Sequence, residues 1–184
     1  MKRLAPLLVL ALAAAACGGG SKSTTTTTTT AAVADPAAAM RALIATQPKL
    51  AGTVRTLFQG SGWAVVQSSS PGRASAVPFR LVGGRWRADQ SDKVKLKILG
   101  PEPGSPGAPR QVQVAIEISA PQPFVESALW VDGVELDDKG GGSPTEGTIY
   151  ATTAHPLKPG PHVAVGYART DTTGTAVAWV FTVG

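Results

Sequence analysis

The segment KVKLKILG, residues 93–100, alternates without a break: Val94, Leu96 and Ile98 fall on one side, and Lys93, Lys95 and Lys97 on the other. Successive side chains of a strand point to opposite faces, so this period of two suits a sheet with one buried face and no helix. VQVAIEIS at 112–119 repeats the pattern with Val112, Val114, Ile116 and Ile118 inward, and AVAWVFTV at 176–183 repeats it with Val177, Trp179, Phe181 and Val183. Between them, ALWVDGVEL sets Asp132-Gly133 between apolar residues, a strong signal for a two-residue hairpin. GTIYATT and HVAVGYAR bring the count to seven strands in roughly 90 residues, which is the density of a β-sandwich. The lysines of the first strand face outward, where they discourage edge-to-edge pairing.

Residues 35–90 read as a smaller α+β module. Asp35-Pro36 is a helix start with a capping acid and a proline in the first turn, and Met40, Leu43 and Ile44 follow at helical spacing before Pro48 ends the run. TVRTLF, WAVVQS, AVPFRLV and RWRAD then form short strands separated by glycine- and proline-bearing turns. The phrase GSGWAVVQSS…AVPFRLVGGRWRAD resembles the terminal hairpins of cystatin-like or NTF2-like sheets in secreted bacterial proteins. That resemblance implies a small sheet and brings no catalytic residue with it. A module of this size is marginal alone, so it is expected to pack on its neighbour.

The last 30 residues carry a further resemblance. HPLKPGPHVAVGYARTDTTGTAVAWVFTV, with Leu157, Pro159, Gly160, Val163, Val165, Gly174, Trp179, Phe181 and Val183, resembles the closing strands of bacterial immunoglobulin-like and fibronectin-type domains. It departs where many relatives place a corner tyrosine, since His162 and Val163 occupy that neighbourhood. The resemblance implies that residues 91–184 form an immunoglobulin-like β-sandwich, a scaffold with no active site common to its members.

The N-terminus points to a location. Lys2 and Arg3 precede an apolar run from Leu4 to Leu12, interrupted by Pro6, and Ala13 to Ala16 supply small side chains at a cleavage site, so residues 1–16 read as a signal peptide. The apolar run is well short of the roughly 20 residues of a spanning helix. Cys17 is the only cysteine, which excludes an intramolecular disulfide. Ala14-Ala15-Ala16-Cys17 resembles the lipobox of bacterial lipoproteins, although Leu12 stands five places before the cysteine and not three. The resemblance implies that the Cys17 thiol carries a diacylglycerol, anchoring the chain at the extracytoplasmic face of a bacterial cell membrane.

Thr24 to Thr30 are uninterrupted threonine, and Gly18 to Thr30 hold no large apolar side chain. Such a tract buries too little apolar surface to offset the entropy of ordering, so residues 17–34 read as the lipidated cysteine and a flexible tether. Its mean span is roughly 20–25 Å. Threonine-rich stalks can also accept O-linked sugars.

Charge divides the remainder unevenly. From 35 to 110 eleven Lys and Arg face four acids, a balance of +7, whereas from 111 onward three basic residues face eight acids, a balance of −5. A basic half invites a nucleic-acid reading, but the secretory signal and the lack of a binding motif argue against one. Anionic lipid or wall polymer is the alternative partner of the excess, beside an ordinary solvated face.

Chemistry is sparse. No G-x-S-x-G, P-loop, H-E-x-x-H or dinucleotide fingerprint occurs, so no enzyme and no cofactor are expected. His155 and His162 flank the PLKPGP turn and are the candidate metal ligands, short of the three or four a site requires. Asp132, Glu135, Asp137 and Asp138 lack the spacing of a calcium loop and read as a solvated hairpin. Trp63, Trp86, Trp130 and Trp179 all fall in predicted strands, where tryptophan fills cores. Trp130 and Tyr150 would make a sugar-stacking or partner-docking patch if they faced outward on adjacent strands. Together these features predict a tethered, non-enzymatic binding or assembly module of the cell envelope. Wall-polymer binding and metal carriage are the alternatives.

Overall fold

Asp35 caps the helix as its sequence suggests: its carboxylate accepts from the Ala37 backbone N–H at 3.0 Å, and α1 runs Pro36–Thr46 behind it. The structure is a computed structural model that describes residues 35–184. The expected signal peptide, the lipidated Cys17 and the tether lie outside the described residues. A 3₁₀ turn at Pro48–Leu50 follows the helix and leads into the strands.

Four strands make the first sheet: β1 Thr53–Gly60, β2 Trp63–Ser70, β3 Arg73–Val82 and β4 Arg85–Ala88, in the order β1-β2-β3-β4. Eight more follow: β5 Lys95–Gly100, β6 Gln113–Ser119, β7 Glu126–Val131, β8 Val134–Glu135, β9 Lys139–Gly142, β10 Glu146–Thr152, β11 Gly160–Arg169 and β12 Gly174–Val183. They form two further sheets, ordered β5-β6-β10-β9 and β12-β11-β7-β8. All twelve strands pair antiparallel. The fold is therefore mainly β.

The layers follow from the alternation. Val112, Val114, Ile116 and Ile118 meet Leu129, Val131, Trp179, Phe181 and Val183 in one core, which joins the β5-β6-β10-β9 sheet to the β12-β11-β7-β8 sheet. The opposite face of the latter is also covered. Trp130, Val165, Tyr167 and Ala176 pack there against Val65 and Ala76 of the first sheet. On the far side of the first sheet, Met40 of α1 packs among Ala64, Val66, Phe79 and Trp86. The β12-β11-β7-β8 sheet is thus buried on both faces, which explains why HVAVGYAR carries apolar residues at almost every position.

Polar contacts reinforce the junction between the first sheet and its neighbour. Arg169 donates to Glu126 at 2.6 Å and lays its guanidinium over the Trp63 ring at 5.4 Å, while Arg80 lies 5.9 Å from the same ring and donates to the Thr172 carbonyl at 3.1 Å. Thr173 donates to Asp89 at 3.2 Å. The expected boundary near residue 90 falls in a stretch bonded to β12: Ser91 N–H donates to the Gly174 carbonyl at 2.9 Å, and the Gln90 side chain donates to the Ala176 carbonyl and accepts from its N–H.

Two features were not legible as strands or as edge cover. GPEPGSPGAP, residues 100–109, whose prolines and glycines carry no strand alternation, lies along the free edge of β12, with Gly104 N–H donating to the Val180 carbonyl and Ala108 N–H to the Thr182 carbonyl. β9 is the run Lys-Gly-Gly-Gly, which has no side-chain alternation to detect. Gly142 takes φ 143°, and a Cβ there would collide with the Glu146 carbonyl, so the close pairing of β9 with β10 requires glycine.

Candidate binding cleft

At the Asp132-Gly133 hairpin two of the candidate residues meet, Asp132 and His162. Both residues adopt positive φ, 51° and 75°, as a type I′ turn demands, and β7 and β8 close it with Val131 opposite Val134. Its base is clamped from three sides. The Asp132 N–H donates to the Val163 carbonyl at 2.8 Å, and the Val163 N–H returns a bond to Asp132 Oδ1 at 3.0 Å. Arg55 reaches across from β1 and donates to the Asp132 carbonyl at 2.6 Å.

His162 completes the clamp. Its Nδ1 lies 2.6 Å from Asp132 Oδ2, its Nε2 lies 2.7 Å from the Lys158 carbonyl oxygen, and its ring stacks on Phe181 at 5.7 Å. Burial works to lower the pKa of the ring, but the hydrogen bonds to Asp132 and Lys158 and the Asp132 charge outweigh it and hold the pKa above the usual histidine value.

Beside this clamp the hairpin and the loop after β10 enclose a cleft of about 260 Å³. Val131, Val134, Leu136 and Leu157 supply its apolar lining, and Asp132, Glu135, Asp137 and His155 stand around it. Val134 is 64% exposed and presents its side chain to solvent beside the cleft. The acidic run is divided: Asp132 is engaged by His162, while Glu135 and Asp137 remain on the rim. Asp138 lines a separate depression beside β9, where burial raises its pKa, its own backbone hydrogen bond opposes the rise and the Asp137 charge adds to it.

The structure separates the other candidates. Trp130 is 1% exposed, packed in the core shared with Tyr167, and Tyr150 is 41% exposed on β10. They sit in different sheets, so the alternative of an outward pair on adjacent strands does not form; Trp130 fills a core, and the residues covering it come from the first sheet. His162 has both ring nitrogens committed, and His155 lines the cleft apart from it. No group of three His, Cys, Asp or Glu able to hold a metal occurs among the described residues. No described helix is long and apolar enough to cross a membrane.

Sequence reading missed Arg55, 77 positions away from the turn it clamps. It also missed the grouping of Val134 and Leu136 with Leu157. No family model matches the sequence, and neither does any curated protein.

Proposed function

We propose that this chain is a lipoprotein of the bacterial cell envelope, tethered to the outer face of the membrane through a lipid on Cys17, whose folded part is a non-enzymatic binding or assembly module. The observation that carries the reading is the preformed cleft beside Asp132-Gly133, apolar in its lining and acidic at its rim. An apolar pocket with a few convergent polar groups is the usual form of a binding site. Its occupant is a segment of an envelope protein that inserts one apolar side chain and flanks it with lysine or arginine, complementing Glu135 and Asp137.

The order of the strands supports an immunoglobulin-like sandwich for residues 91–184. β5-β6-β10-β9 facing β12-β11-β7-β8 follows the A-B-E-D and G-F-C-C′ arrangement of that fold. In such domains, surfaces and loops at the ends of the sandwich do the binding.

The test is site-specific photocrosslinking in intact cells, with the crosslinker at Val134 or, as a control, at Arg41 on α1. One dominant protein adduct from Val134 alone, weakened at least tenfold by Glu135→Lys with Asp137→Lys and released from membranes by Cys17→Ala, is the expected result. Equal adducts from both positions, or an adduct indifferent to the charge reversals, would overturn the reading.

A further inference from the structure

A second cleft, unrelated to the apolar one, opens where all three sheets meet. It measures about 1010 Å³ and is bounded by Arg80 of β3, the segment 91–95 entering β5, the segment 119–122 leaving β6, and the β11–β12 turn at 170–173. Arg80, Lys93 and Lys95 supply its cations, and Asp92 is the one acid among its lining residues.

The three cations of the cleft are not equivalent. Arg80 is held over the Trp63 ring at 5.9 Å, with Asp89 3.3 Å from its Nε and the Thr172 carbonyl accepting from Nη1, so its position is set before any ligand arrives. Along β5, Lys97 is opposite Glu117 and pairs with it at 3.3 Å. The register sets Lys95 opposite Ser119 instead, a hydroxyl in place of an acid. Lys93 and Lys95 enter no ion pair among the described residues. Two ammonium groups without an acid partner, beside the hydroxyls of Ser119 and Thr172 and the Gln122 amide, make a concave field that is positive and rich in hydrogen-bonding groups.

We infer that this cleft binds an acidic, polyhydroxylated polymer, a phosphate- or carboxylate-bearing glycan or polyol strand. Cations match its acid groups, hydroxyls and amide match its alcohols, and the volume accommodates several repeat units. No aromatic ring lines the cleft, so neutral sugars lack the stacking face they generally need. A flat bilayer cannot follow a hollow formed by three converging loops, which favours a strand over a lipid surface. The net charge of +7 on residues 35–110 adds long-range attraction of the right sign.

The experiment titrates the purified full chain with poly(glycerol phosphate) and, separately, with oligogalacturonate, using neutral dextran and phosphatidylglycerol vesicles as comparison arms. Backbone amide shifts are followed, and Lys93→Glu/Lys95→Glu is compared with Arg41→Glu/Lys49→Glu, an equal charge change away from the cleft. Saturable binding of at least one acidic polymer is expected, with shifts concentrated at Ser119, Gln122 and Thr172. The cleft variant should lose at least tenfold in affinity and the distant variant less than threefold, with dextran unbound. Equal losses in both variants would mean general charge attraction. Such equal losses, no binding of either polymer, or binding confined to vesicles would each overturn the inference, and the wild-type shift map decides the matter should the cleft variant fold poorly.

Discussion

The Asp132 carboxylate and the Lys158 carbonyl both accept from one imidazole, with His162 Nδ1 at 2.6 Å from the first and Nε2 at 2.7 Å from the second. Neither oxygen can donate, so the ring satisfies both only when both nitrogens carry protons, as the cation. His162 therefore joins the β7–β8 hairpin to the loop before β11 through its charged form.

A pH dependence of stability follows. The folded pKa lies above the ordinary value, so the stabilisation is fully present below about pH 6.5 and is lost as pH rises through the folded pKa. Thermal unfolding across pH 5 to 9 should show the wild type losing a few degrees over this window, at about 2–4 °C for each kcal/mol, relative to His162→Gln. A pH-independent difference between the two proteins would show that His162 does not act as the cation.

Gly133 and Arg55 are coupled. Gly133 has φ 75°, and a Cβ there would run into the Arg55 guanidinium. Gly133→Ala should cost about 1–2 kcal/mol from the positive φ and this collision together. Chemical denaturation of Gly133→Ala, Arg55→Ala and the double variant tests it. The double variant should be destabilised by less than the sum of the singles, because removing Arg55 relieves the collision and leaves only the backbone strain.

Trp130 and Tyr150 should differ sharply. Trp130→Ala empties a position buried from both sides and should cost about 3–5 kcal/mol, whereas Tyr150→Ala should cost under about 1 kcal/mol. Comparable losses in denaturant unfolding would contradict the burial assigned to Trp130.

Gln90 acts as a short stand-in for a neighbouring strand. Its amide donates to the Ala176 carbonyl at 3.0 Å and accepts from the Ala176 N–H at 3.3 Å. Gln90→Ala should accelerate amide exchange at Ala176 at least fivefold while Val165, in the middle of the sheet, stays protected. It should cost about 1 kcal/mol in stability. Unchanged exchange at Ala176 would show that the edge is protected by other means.

Local sequence was sufficient where one face of an element is apolar and the other polar. The inward sets of 94–98, 112–118 and 177–183, the Asp35 cap and the Asp132-Gly133 turn depend on strand period, side-chain chemistry or φ preference, all properties of neighbouring residues. They occur in the structure at those positions. β9 escaped because three glycines carry no periodic signal.

Which face of the remaining strands is covered was settled by residues far away in the chain. The pairing of β7 with β11 sets Trp130 opposite Val165 on one side of their sheet, and only the arrival of Val65 and Ala76 buries that side. The clamp on Asp132 needs Arg55 from β1 and His162 from β11, and the basic cleft needs segments from three sheets. Strand periodicity is a one-dimensional quantity and could be read directly. Burial on a second face, ion pairing and cleft shape depend on contacts between segments whose separation in sequence carries no information about their distance in space, so they belong to the tertiary structure alone.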